Sequence, residues 1–228
     1  MFMWSSKAKL WLHRVGYLTT LIVALEAAAI GYYGYQDWRF RRDMAAATQD
    51  RTRTKTGPVK ADGSDLVSES VLSLLSTLPS LASLPNDSLR FVSMPSFGPD
   101  WFAIALRRTA DGATATLVIA HRDMGSADHI RAFEAPKQFA IAQQPLERML
   151  IQFDQQVEGW NGDRSMWTDG TPIAFERKKD GQITSGQGNS PTHYAEVAAI
   201  IRDGLAPYSP DIARLGPDWV AKADTKTP

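Results

Sequence analysis

The sequence predicts an α+β protein: one N-terminal transmembrane helix, then a small antiparallel sheet built of hairpins and packed against about three helices. Three observations carry that expectation. Residues Val15 to Tyr35 form a long apolar stretch near the N-terminus. Two Asp-Gly pairs each stand between short runs rich in strand-forming residues. Three further segments repeat apolar side chains at helical spacing.

The totals narrow the function classes. The chain's 228 residues allow an anchor, a linker and one domain of ordinary size. Its 25 basic and 25 acidic side chains balance to a net charge of zero, which argues against a nucleic-acid partner. It has no cysteine. Disulfides, thiolate metal sites, iron–sulfur clusters and cysteine nucleophiles are therefore excluded, and no cofactor is expected.

After a tail at residues 1–14, residues 15–35 read as the transmembrane helix. At helical rise they reach about 30 Å, the thickness of a bilayer's hydrocarbon core. Trp4, Trp11 and Tyr17 lie at one edge, and Tyr32, Tyr33, Tyr35 and Trp38 at the other, the pattern of an interfacial aromatic belt. A signal peptide with Val15–Leu25 as its core, and Ala27 and Ala29 as the small residues before the cut, fits less well, because the apolar run continues to Tyr35. Glu26 is the one charge in the stretch, and a carboxylate at mid-bilayer costs about 2–3 kcal/mol unless paired or protonated. At a period of 3.6 residues, Ala24, Ala27, Ala28, Gly31 and Gly34 share one face, with Glu26 opposite. Small residues let a second helix approach closely in lipid. These six residues are the candidate helix-docking set.

Orientation rests on two opposed signals. Three basic residues precede the span and six follow it within about 20 residues, a bias toward a cytoplasmic domain. A short tail, one helix and a large C-terminal domain point to translocation instead. The periplasmic side of a bacterial inner membrane is the expectation taken.

Residues 36–64 read as a helix extension (Trp38 to Thr48) and a linker broken at Gly57-Pro58 and Asp62-Gly63. The domain is expected over 65–207. Val67, Val71, Leu74, Leu75 and Leu78 predict its first helix, with Ser64 as N-cap and Pro79 as terminator. Strands are predicted at Leu89–Met94, Trp101–Thr109 and Ala113–Arg122, the last two closing on Asp111-Gly112. Residues 130–142 supply one or two short strands around Pro136. Leu146, Met149, Leu150, Phe153, Val157 and Trp160 mark an amphipathic helix. Ile173–Arg177 and Gln182–Ser185 form a second hairpin on Asp180-Gly181, and Tyr194 to Leu205 the last helix. The helices are expected on one face of the sheet. The tail, 208–228, carries Ile212, Leu215 and Trp219 as residues able to dock.

Three site candidates remain. His121, Asp123 and His129 offer mixed nitrogen and carboxylate donors, but no fixed geometry, so a solvated turn is the reading preferred over a metal site. Gly186, Gly188 and Ser190, with His193 one turn on, read as a candidate anion loop before a helix; a tight connection explains the same residues. Trp160 and Trp167 flank a polar segment suited to recognition, or to core packing. Metal, phosphate-loop, EF-hand and serine-hydrolase motifs are absent. The expectation is a non-catalytic accessory or assembly subunit whose partners are membrane lipid and other membrane subunits. The alternative is a tethered enzyme or binding domain using the His121 loop and residues 186–190.

Overall fold

The computed structural model describes residues 6–60, 66–96, 98–122, 130–164, 170–190 and 193–215, without the side chains of 6–10, 12, 13 and 66–68. The chain divides into two compact units, Met1–Ala46 and Ala47–Pro228.

The first unit is built from helix α1 (Ser6–Thr52), whose last turn belongs to the second. Among the described residues it is the one helix long and apolar enough to cross a membrane. Its side chains from Arg14 to Asp43 are all exposed. Thr19 and Thr20 turn their hydroxyls back onto the carbonyls of Val15 and Gly16, each at 2.9 Å, so neither hydroxyl needs water. Beyond the apolar stretch, Arg41 pairs with Asp37, and Arg39 and Arg42 both reach Asp43.

The second unit is a sheet between helices. Strands β1 (Lys55–Thr56), β2 (Ser88–Ser93), β3 (Asp100–Thr109), β4 (Gly112–Arg122), β5 (Ile130–Phe133), β6 (Lys137–Ala142), β7 (Pro172–Lys179) and β8 (Gln182–Asn189) pair antiparallel throughout. Their order is β1-β8-β7-β2-β3-β4, with β5 and β6 sharing the outer edge of β4. Pro136 falls in the gap between those two short strands, where its missing N–H breaks no ladder.

Strand alternation divides the core in two. Phe102, Ile104 and Leu106 of β3 join Leu117 and Ile119 of β4 under helices α3 (Gln143–Val157) and α4 (His193–Leu205). The intervening Trp101, Ala103 and Ala105 face the other way, where Val71, Leu74 and Leu75 of helix α2 (Leu66–Ser76) cover them. The helices therefore occupy both faces rather than the single face expected. The reason lies in β3 itself: alanines between the large residues let α2 approach the second face, so every residue from Asp100 to Leu106 is buried.

Four local features bear on the expectations from sequence. Of the segment read as helix extension and linker, α1 takes residues up to Thr52, and Lys55–Thr56 pair with β8. The first hairpin turns on Ala110 and Asp111, because Thr109 pairs with Gly112. Gly112 then opens β4 at φ +144, where a Cβ would lie 2.0 Å from the Ile141 carbonyl oxygen. The second hairpin turns on Asp180 and Gly181 at φ +50 and +75, as its Asp-Gly pair predicts. Ile212 and Leu215 are buried around a 3-10 turn, Pro210–Arg214; Trp219 lies outside the described residues.

Candidate functional site

On α1, Ala24, Ala27, Ala28, Gly31 and Gly34 are exposed along one stripe. A Cβ added at Gly31 or Gly34 would meet nothing within 4 Å. Glu26 is exposed on the far side and has no hydrogen bond or ion pair among the described residues.

His121, near the end of β4, sits in a closed ring of charges that the sequence reading did not anticipate. Its Nδ1 lies 2.7 Å from Asp100 Oδ1 and its Nε2 3.2 Å from Glu134 Oε1. Asp100 Oδ2 accepts from Arg214 at 2.7 Å, and Arg214 also reaches Asp211. Lys137 closes the ring, 2.8 Å from Asp211 and 2.9 Å from Glu134. The hydrogen bond from Lys137 is the main cause holding the Asp211 carboxyl below its usual value, and the bonds to Asp211 and Glu134 hold the Lys137 ammonium above its own. Asp100 and His121 meet because they are paired positions of β3 and β4. A turn centred on Asp111-Gly112 would have set Asp123 opposite Asp100 instead. Asp123 and His129 themselves lie outside the described residues. Among the described residues no group of three or more candidate donors is arranged to hold a metal ion. The ring fastens the Pro210–Arg214 turn to the sheet edge.

Gly186 and Gly188 fall within β8, paired with Phe175 and Ile173, not in a loop. Their missing side chains make room for Tyr194. A Cβ at Gly188 would lie 2.1 Å from the Tyr194 ring, and one at Gly186 2.6 Å from its hydroxyl. The glycines thus serve close packing of α4 on the strand. Ser190 is fully buried, and its hydroxyl accepts from the Thr171 amide at 2.8 Å. His193 opens α4 but turns toward α3: its Nε2 donates to the Gln156 carbonyl at 2.8 Å, and its ring stacks on Trp160 at 3.8 Å. Trp167 lies outside the described residues.

Trp160 belongs to a second arrangement that sequence reading missed, a collar around the last turn of α1. Tyr194 donates to the Thr52 carbonyl at 2.5 Å, and burial holds its phenol well above the ordinary value. The Asp163 amide donates to the Thr52 hydroxyl at 2.8 Å, and the Thr54 amide to the Trp160 carbonyl at 3.1 Å. Arg164 adds a bond to the Gln49 side chain at 3.1 Å. Gly162 stands at φ +88, where a Cβ would lie 2.1 Å from the Gln49 carbonyl oxygen. The collar satisfies the Thr52 carbonyl, one of the last four of the helix, which have no partner within it.

No family model matches the chain, and no curated protein or solved structure resembles it significantly.

Proposed function

We propose that the protein is a single-pass accessory or assembly subunit of a bacterial membrane protein complex, acting by contact rather than catalysis. In this reading residues 15–35 cross the inner membrane and the α+β domain stands on the periplasmic side. The observation that carries it is the stripe from Ala24 to Gly34, open along an exposed apolar helix. Lipid gives two helices no hydrophobic reason to associate, so close backbone approach and polar contacts must supply it. The stripe permits the first. Glu26 supplies a reason for the second, since an intramembrane carboxylate is stabilised by a polar partner on a neighbouring helix.

Leucine at both Ala27 and Gly31 tests the docking face. The full-length variant is expected to remain in the membrane and to lose the subunits that co-purify with wild type in mild detergent. Recovery of the same partners by both proteins would end the docking proposal. The side of the membrane has a clean readout because the chain has no native cysteine. A single cysteine at exposed Ala82 should react with an impermeant maleimide in intact spheroplasts. Labelling only after lysis would place the domain in the cytoplasm.

A further inference from the structure

A groove of about 490 Å³ lies in the second unit, between the last turn of α1 and the β1–β8 edge. Its lining includes four cations, Arg51, Arg53, Lys55 and Lys60, against one carboxylate, Asp50. The sequence here runs Arg-Thr-Arg-Thr-Lys-Thr from residue 51, and no acidic residue falls between 51 and 60. The alternation is used structurally. Thr52 and Thr54 turn inward to Asp163 and Trp160, while the basic residues between and beyond them line the groove. On the far wall the Val59 amide donates to buried Glu176 at 2.9 Å, which fixes the backbone next to Lys60. Both walls are therefore held by the domain before any ligand arrives. Arg53 reaches Asp50 at 2.9 Å, whereas Lys55 and Lys60 have no ion pair among the described residues. Complementing the helix dipole accounts for Arg51 alone, because the other three cations lie past the end of the helix.

We infer that this groove binds a phosphate-bearing anion. Its volume is that of a small-ligand site, and an excess of three positive charges focused in a concavity favours a polyvalent anion over a neutral ligand. Phosphate is the common chemistry of two sources, a soluble phosphate ester and the headgroup of an anionic lipid. The site makes no use of the docking stripe on α1, and it stands or falls separately from the proposed subunit role.

The test uses the full chain with 15N-labelled backbone. In zwitterionic micelles, pyrophosphate is titrated while the amides of Gly57, Gly186 and Gln187 are followed. In parallel, the chain is placed in nanodiscs of phosphatidylcholine alone or with about 30 mol% phosphatidylglycerol. Saturable shifts with pyrophosphate, or shifts specific to the anionic discs, support the site and assign its source. The double variant K55E/K60E should weaken the response about tenfold or more, and R131E/R148E, an equal charge change at exposed residues elsewhere, by less than about twofold. The inference is overturned if neither probe shifts these amides, or if the two double variants weaken binding alike.

Discussion

Arg90 and Glu176 show how much one buried pair can organise. They are cross-strand neighbours on β2 and β7, with side chains 10% and 3% exposed and 2.9 Å apart. Arg90 also donates to the Leu75 carbonyl near the end of α2, and Glu176 accepts the Val59 amide. One pair thus ties α2 and the segment after β1 to the sheet. Burial raises the Glu176 carboxyl above its ordinary 4.5, against the opposing pull of Arg90 and the Val59 amide. A raised acid binds its proton more tightly folded than unfolded. Its contribution is therefore most favourable below 4.5 and declines as pH rises through the folded value. E176Q should abolish that slope, yet destabilise at neutral pH by about 3 kcal/mol by leaving Arg90 buried without its counter-charge. The double replacement R90M/E176L should cost clearly less than the sum of the single changes. Urea midpoints across pH measure both, and additive single effects would show that the pair does not act as a unit.

At the level of elements, the hairpins, α3 and α4 were legible because their signals are local. Asp180-Gly181 encodes a turn with both residues at positive φ, and the Leu146-to-Val157 stripe encodes a buried helix face. The one-residue displacement of the first turn was not legible, since what fixes Gly112 is the carbonyl of distant Ile141. That displacement decides whether His121 or Asp123 faces Asp100, so the charge ring was out of reach with it. Lys137, Asp211 and Arg214 join the ring only through tertiary packing and carry no local pattern. The glycines of β8 were visible as glycines, but their cause, the Tyr194 ring, is an element away. Residues 51–56 misled in the same manner: a basic, threonine-rich stretch reads as solvated linker until Thr52 and Thr54 are seen inside the collar. Gly162→Ala tests that collar. Both its φ of +88 and its contact with the Gln49 carbonyl oppose a side chain, so the change should destabilise by about 2 kcal/mol or more. Amide exchange should quicken at Thr52 and Thr54 before it does in β3. Unaltered protection at those two amides would mean that the collar does not hold the helix end.

For the molecule as a whole, two designs meet in one chain. The second unit buries large side chains on both faces of its sheet and pairs its buried arginines, Arg90 and Arg177, with carboxylates of its own. The first unit does the reverse, displaying Leu18, Leu21, Ile22, Val23 and Leu25 to its surroundings. Such an apolar surface is unstable in water and stable in lipid. In the proposed reading, Glu26 and the alanine and glycine stripe, on opposite faces of α1, are contacts for neighbouring helices rather than defects in a soluble one. The most direct test is to wash membranes containing the untagged, full-length protein with alkaline carbonate and ask where it goes. Retention in the pellet, with release only by detergent, is the expected result. Full-length protein recovered in the carbonate supernatant would contradict the account at its root.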